Sequence, residues 1–350
     1  MEKIRIGDFT IDDKSNVFII AELSANHNGD IEVAKKTISA AKRTGANAIK
    51  LQTYTPDTMT LNSNKEDFII KGTIWEGQNL HELYKQAYTP WEWHHELFEF
   101  AKKEGIICFS SPFDKTSVDF LENLNTPAYK IASFEITDIP LIKYVASKNK
   151  PIIISTGIAN KEDIELAIKT CKVAGNDKII LLKCTSSYPA PIEEANLAMI
   201  NEFKVRYNVY SGLSDHTLGD TLPIAATVLG AKVIEKHFIL DHSIGGPDAS
   251  FSMNEEEFES MVKSVRSAEL SIGNNDFKLT DKQIKGKQFS RSLYVCKDIK
   301  IGEKFSMENI KIVRPGYGLH PMYFESILGK NSKSELSFGD RLKIDDINFD

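Results

Sequence analysis

Two lysines, Lys50 and Lys130, fall inside short runs that are otherwise apolar or hydroxyl-bearing, AIKLQTY and AYKIAS. An ammonium taken out of water without a partner is costly, so a lysine in such a run calls for an anion. Hydroxyls recur near the ends of neighbouring runs, at Ser111, Ser133, Ser155 and Ser214. Together these groups offer a cradle for a carboxylate and a phosphate; the alternative is that each lysine is a structural strand residue. Two histidines, His216 and His237, close further runs of the same kind. Imidazoles side by side at adjacent strand ends can hold one divalent metal and leave positions open for water and substrate. A hydrogen-bonded filler is the competing reading of each. Glu22 ends the apolar run FIIAE. Burial would favour its protonated form and raise its pKa, which suits a general acid or base; an ion pair with Lys50 or Lys130 is the structural alternative. His27 divides evenly between orienting a turn and catalysis, and His94 and His95, beside tryptophans, read as packing.

These residues need a scaffold that brings eight separate runs to one place. The runs are residues 18–23, 48–54, 106–111, 128–133, 151–156, 179–185, 209–216 and 233–238. Most start about 20–30 residues after the last, room for one helix and two turns. Helical patterns fill the intervals: residues 31–44 stop at Gly45, and 91–104 stop at Gly105. Eight β–α repeats predict a (β/α)8 TIM barrel, in which chemistry sits at the C-terminal strand ends. Lys50 with Gln52, and Glu235 with His237, are spaced two apart and so share a face. A doubly wound sheet is the alternative fold, but no G-x-G-x-x-G follows any strand. Residues 55–105 interrupt the rhythm on the catalytic face, as a lid or substrate-selecting loop, or else as a packing hairpin or dimer contact.

The repeat stops after residue 271. The reading is a barrel domain over residues 1–272, a polar linker over 273–288 and a compact β-rich domain over 289–350, small enough to need something to lean on. A net charge of −6 and a pI near 5.8 argue against nucleic-acid binding. No apolar run approaches the roughly 18 residues of a membrane span, and the N-terminus lacks a signal-peptide pattern. Four scattered cysteines, Cys108, Cys171, Cys184 and Cys296, read as reduced thiols of a cytoplasmic protein, without a metal or catalytic role.

The ordered motifs resemble those of the sialic acid synthase family over nearly the whole chain. They are Ala21–Asp30 (AELSANHNGD), Lys50–Thr53, Ser110–Phe113, Tyr129–Ser133, Ser155–Gly157, Gly212–Thr217, Glu235–Phe238 and Gly246–Asp248. Val313–Gly316 resembles the family's C-terminal antifreeze-like (SAF) domain. The Glu-Leu-Ser-Ala-Asn-His opening, the 72–80 and 87–93 segments and residues 132–138 are most similar to the pseudaminic branch. The resemblance implies condensation of phosphoenolpyruvate with an amino-sugar aldehyde and release of phosphate. In the pseudaminic branch the sugar is 2,4-diacetamido-2,4,6-trideoxy-L-altrose, and the product feeds bacterial surface or flagellin glycosylation. It implies a divalent cation, manganese or magnesium with cobalt as a further candidate, on His216 and His237. Lys50, Ser111, Lys130, Ser133, Ser155 and Ser214 would hold phosphoenolpyruvate, with Ser186 where the family often has Asn. Glu22 would handle protons beside Lys50 and Lys130. Gln52, Tyr188 and Asp248 would meet the sugar, and Arg314 would reach an N-acyl oxygen in the partner's site of a domain-swapped homodimer. Neuraminate and legionaminate synthesis are the alternatives within the family; a Schiff-base aldolase using Lys130 or Lys183 is the alternative outside it.

Overall fold

The computed structural model describes residues 1–274 and 276–349. An antiparallel hairpin comes first, β1 (Ile4–Ile6) and β2 (Phe9–Ile11). Eight parallel strands follow: β3 (Phe18–Glu22), β4 (Ala48–Thr53), β5 (Ile107–Pro112), β6 (Tyr129–Ile131), β7 (Ile152–Ser155), β8 (Ile179–Cys184), β9 (Tyr210–Asp215) and β10 (Val233–His237). They close into a barrel, β10 pairing with both β9 and β3. All eight predicted strands are present, with ends shifted by a few residues at most. β6 is the shortest because Ser133 already opens a 3-10 turn over Ser133–Thr137. The leading hairpin escaped sequence reading, its strands being only three residues each.

Alternation along each strand decides what faces the barrel axis. Phe18, Ile20, Ala48, Phe109, Ala128, Ile153, Ile180, Leu182, Tyr210 and Val233 form one inner cluster. Ile4, Ile6 and Ile11 of the hairpin join it, so the barrel's N-terminal end is stoppered by apolar side chains. The intervening residues, such as Ile49, Leu51 and Ile234, pack outward against helices. On the other side of the barrel Tyr129, Ile152 and Leu181 do the same. Because the period is two, the next inward step on each strand reaches Glu22, Lys50, Ser111, Lys130, Ser155, Cys184, Ser214 and Glu235, all buried. A polar layer thus lies directly above the apolar one, toward the C-terminal strand ends.

The helices carry local signals that fix these strands in place. Asp30 caps Ile31–Arg43 by accepting from the Glu32 amide, and Gly45 follows at φ +88°. Trp91–Glu104 ends at Gly105 with φ +70°, the left-handed stop that glycine reaches without strain. Between β4 and this helix lie two short helices, Pro56–Met59 and Leu80–Ala87, and a tight hairpin in which Ile70 N–H donates to Gln78 O and Gly77 N–H to Ile70 O.

The chain divides into two compact units, Met1–Gly273 and Asn274–Asp350. In the second, residues read as linker include a capped helix, Asp281–Gly286. Its two larger strands, β11 (Ser292–Val295) and β12 (Ile310–Val313), pair antiparallel over a core that includes Leu293, Phe305, Ile310 and Leu342. Two further short strands, Asn331–Ser332 and Ile347–Asn348, pair with each other. No helix among the described residues is long and apolar enough to cross a membrane.

Candidate active site

The polar layer is a compact charge cluster. Lys50 Nζ lies 2.8 Å from Glu22 Oε2 and 3.5 Å from Glu235 Oε1. Lys130 Nζ lies 3.6 Å from the same Glu235 oxygen. Lys50 also donates to Ser111 Oγ at 3.3 Å, and Ser214 Oγ donates to Glu235 at 3.4 Å. Two ammoniums and two carboxylates therefore share a volume closed to water. Burial raises the Glu22 pKa to about 7, with Glu235 adding to the rise and Lys50 opposing it. Burial works against Lys50 too, but Glu22 and Glu235 outweigh it and leave it raised. Lys130 has less carboxylate around it, and burial wins, lowering its pKa. Burial would push Glu235 up, yet Lys130 and Lys50 together hold it below the usual carboxylate range.

Beside the lysines is a cradle of hydroxyls and one backbone amide. Gly157 N–H donates to Ser133 Oγ at 3.1 Å. A Cβ on Gly157 would stand 2.1 Å from Ser186 Oγ and 2.7 Å from Ser133 Oγ, so only glycine lets these hydroxyls close in. Ser155 Oγ is buried and has no hydrogen-bond partner among the described residues. Fixed donors around two lysines, with a hydroxyl left over, suit an anion with several oxygens.

Above the cluster, at the strand ends, Gln52 Nε2 donates to Glu22 Oε1 at 2.8 Å and to Ser24 Oγ at 2.9 Å. His216 and His237 face each other with ring centroids 5.3 Å apart. Tyr188 packs over His216 at 4.4 Å, and Phe251 closes on His237 at 5.0 Å. His237 Nδ1 is 3.7 Å from Asp248 Oδ2 and has no hydrogen bond among the described residues.

Among the described residues no three His, Cys, Asp or Glu side chains converge as a ready-made metal site. The two imidazoles nevertheless fit a divalent cation that completes its shell with water and substrate. His216 Nδ1 lies 3.0 Å from Thr185 O; a carbonyl can only accept, so Nδ1 carries the proton. Burial lowers the His216 pKa, but Cys184 and Thr185 O outweigh it and leave it raised, so Nε2 would ligate by exchanging its proton for the metal. Burial and the nearby cations keep His237 well below its usual pKa, hence neutral, as a ligand must be.

A cavity of about 340 Å³ opens onto these groups, lined by Gln52, Tyr188, His237 and Asp248 and by residues of the 55–105 insertion, among them Ile70, Trp75 and Leu83. The insertion thus borders the site. A larger hollow of about 800 Å³, near Gly7, Lys42 and Asn47 beside the leading hairpin, contains none of the predicted residues.

Every barrel residue expected in the site lies at this end of the barrel or on the loops above it. Arg314 stands in the second unit, exposed, directly after β12. Lys183 is excluded from the barrel interior: it alternates with the inward Leu182 and Cys184, and its ammonium bonds Cys184 O. His27 serves its turn, with Nδ1 accepting from Gly29 N–H at 3.0 Å, and burial holds its pKa near 4.

Three groups escaped the sequence reading of the site. Glu235 was placed beside His237 but given no role, although the two-residue spacing already put it on the inner face. Cys184 was set aside with the other thiols, yet it is in the polar layer. Burial would raise its pKa, but His216 and Lys130 hold it at about 7. Glu135 lines the cavity with one oxygen lacking a hydrogen bond, and burial raises it to about 7. Its position in a 3-10 turn, off the strand rhythm, gave no periodic signal.

A model of the NeuB family matches residues 37–277, and one of the SAF domain matches residues 290–348. The chain is 52% identical over 340 residues to the pseudaminic acid synthase of Campylobacter jejuni, covering 97% of this chain and 98% of that one. It is 48% identical to the pseudaminic acid synthase of Helicobacter pylori, covering 94% and 97%. The crystal structure of N-acetylneuraminic acid synthetase from Leptospira borgpetersenii, in complex with citrate, superposes with a TM-score of 0.73 at 31% identity, over 81% of this chain and 95% of that one.

Proposed function

The chain belongs to the NeuB family, and on that footing we propose that it condenses phosphoenolpyruvate with 2,4-diacetamido-2,4,6-trideoxy-L-altrose and water, giving pseudaminic acid and phosphate. The observation that carries the reading is the pair of buried lysines, Lys50 and Lys130, beneath a cavity walled by Gln52, Tyr188, His237 and Asp248. Identity supports the sugar branch: 52% and 48% to pseudaminic acid synthases against 31% to a neuraminic acid synthetase.

Lys50 and Lys130 take the carboxylate and phosphate of phosphoenolpyruvate, with Ser111, Ser133, Ser155, Ser186 and Ser214 orienting their oxygens. Holding both ends of a small trianion supplies orientation and preorganised charge before any bond changes. Gln52, Tyr188 and Asp248 hold the sugar so that its aldehyde carbon meets the terminal methylene carbon of phosphoenolpyruvate. His216 and His237 would hold a divalent cation, which when bound would supply Lewis acidity toward the aldehyde oxygen. Glu22, close to half-ionised near neutral pH, takes the proton from the water that adds at the former enol carbon as phosphate leaves. In the second unit, Arg314 meets an N-acyl oxygen in the site of a partner subunit.

The test is a phosphate-release assay with phosphoenolpyruvate and each of three sugars: the 2,4-diacetamido-trideoxy altrose, the legionaminate precursor and N-acetylmannosamine. Preferred turnover of the first is expected. Preference for either of the others moves the chain to that branch, and a borohydride-trapped pyruvate adduct would replace the reading by a Schiff-base lyase.

A further inference from the structure

The 55–105 insertion contains a tight hairpin, Ile69 bridging Asn79, whose tip carries Trp75. The hairpin is anchored from below. Asn79 caps the Leu80–Ala87 helix by accepting from His81 N–H at 2.9 Å, and its own amide donates to Ser63 O at 2.7 Å. Trp75 turns back over the cavity, with its ring centroid 5.9 Å from that of Tyr188. Its indole Nε1 is shielded from solvent, yet it has no hydrogen-bond partner among the described residues. Trp91, which opens the helix Trp91–Glu104, shows the usual outcome: its indole donates to Tyr54 O at 3.0 Å. A shielded N–H left unpaired is unfavourable, so one carried by a residue that lines the substrate cavity points to an acceptor that arrives with the ligand.

The cavity is two-sided. One side is polar, with Gln52, His237 and Asp248 close to the cluster that takes the reacting end of the sugar. The insertion's side is apolar, with Ile70, Leu80 and Leu83 around Trp75. An open-chain hexose with its aldehyde at the polar side presents its C4–C6 end to the insertion. In a 2,4-diacetamido-2,4,6-trideoxy sugar that end carries an acetamido carbonyl at C4 and a methyl at C6. The carbonyl supplies the missing acceptor and the methyl suits the apolar wall; a hydroxyl at C6 would bring an unpaired polar group against that wall instead.

We propose that Trp75 is a specificity-determining residue, its indole N–H donating to the C4 acetamido carbonyl of the sugar while the surrounding insertion side chains receive the C6 methyl group. This rests on the functional reading above and adds the part of the chain that selects the sugar.

The experiment compares wild type with Trp75→Phe, which keeps an aromatic ring beside Tyr188 and removes the N–H together with the five-membered ring of the indole. Phosphate release at saturating phosphoenolpyruvate gives kcat/KM for the 2,4-diacetamido-trideoxy sugar and for an analogue with hydroxyl in place of the 4-acetamido group. Wild type should favour the diacetamido sugar, and Trp75→Phe should lose about tenfold on it, the worth of one shielded hydrogen bond, while keeping its rate on the analogue and its KM for phosphoenolpyruvate. An unchanged kcat/KM, an equal fall on both sugars or a shifted phosphoenolpyruvate KM would assign Trp75 to loop packing and overturn the proposal. So would a wild type that does not distinguish the two sugars, a measurement that needs no variant. Wild-type inactivity on the diacetamido sugar would remove the functional reading itself, a result distinct from an active wild type with an indifferent variant.

Discussion

Glu235 Oε1 lies 3.6 Å from Lys130 Nζ, and neither side chain is open to water. The same oxygen lies 3.5 Å from Lys50 Nζ, so one carboxylate steadies two ammoniums. Without substrate, this is how two buried lysines stay charged and in place. On the proposed function, an incoming substrate anion would take over part of that role.

Replacing Glu235 by Gln should therefore destabilise the free protein more than the liganded one. Breaking a buried ion pair by removing one partner costs about 3–5 kcal/mol, because the other charge is left uncompensated. Melting curves of Glu235→Gln should fall below wild type, and phosphoenolpyruvate should raise them by more than it raises wild type. Equal ligand-induced shifts in both proteins would mean that Glu235 does not neutralise the anion site.

Glu22 supplies a pH dependence with a defined sign. Burial raises its pKa from an ordinary 4.5 to about 7. Between those values the folded protein keeps a proton that the unfolded chain gives up, so this contribution to stability is full below about pH 4.5 and is lost as pH rises through about 7. Turnover should run the opposite way, since the ionised form accepts the proton: kcat should rise through an apparent pKa near 7. Glu22→Gln should remove both limbs, cutting kcat far more than substrate affinity. A Glu22→Gln enzyme that keeps near-wild-type turnover with the same pH profile would leave Glu22 as a structural partner of Lys50.

Much of this site was legible from spacing. A period of two in eight runs put Lys50, Lys130, Ser111, Ser155 and Ser214 on one inward face, and the structure stacks them one step above Ala48, Ala128, Phe109, Ile153 and Gly212. What periodicity cannot convey is which neighbours across the barrel share a charge. Glu235 meets Lys130 from β10 to β6, a relation set by barrel closure and absent from any local pattern. Irregular segments were equally silent. Glu135 sits in a 3-10 turn and Trp75 at a hairpin tip, where no repeat fixes the direction of a side chain. The leading hairpin was lost for a simpler reason: three-residue strands carry too few alternations to stand out from a coil.

Metal binding can be read without turnover. His216 donates Nδ1–H to Thr185 O, which leaves Nε2 to meet the metal, and His237 stays neutral. Titration of the metal-stripped protein with Mn2+, followed by electron paramagnetic resonance, should show one site. His216→Ala and His237→Ala should each weaken it at least tenfold, the loss expected of a ligand in a site with only two from the protein, while leaving the circular dichroism spectrum unchanged. Manganese affinity indifferent to both substitutions would end the assignment of these histidines.

Arg314 raises the question of assembly. Its guanidinium is exposed and makes no hydrogen bond or ion pair among the described residues, so its own SAF domain gives it no structural task. That domain is also small, with a core built from a few side chains such as Leu293, Phe305 and Leu342. A domain of this size gains stability by packing against something larger. If the larger body is the barrel of a partner subunit, each site draws Glu22 from one chain and Arg314 from the other. Arg314→Ala and Glu22→Gln proteins, each inactive alone, are then mixed after reversible dissociation. In a mixed dimer with shared sites, one site carries both lesions and the other carries neither. Random exchange at equal concentrations should return about a quarter of wild-type activity, since half the dimers are mixed and half of their sites are intact. If each chain covers its own barrel, every site keeps one lesion and mixing restores nothing. No recovery of activity, with subunit exchange verified by mass-tagged chains, would therefore rule out the swapped arrangement and require Arg314 to act, if at all, on its own barrel.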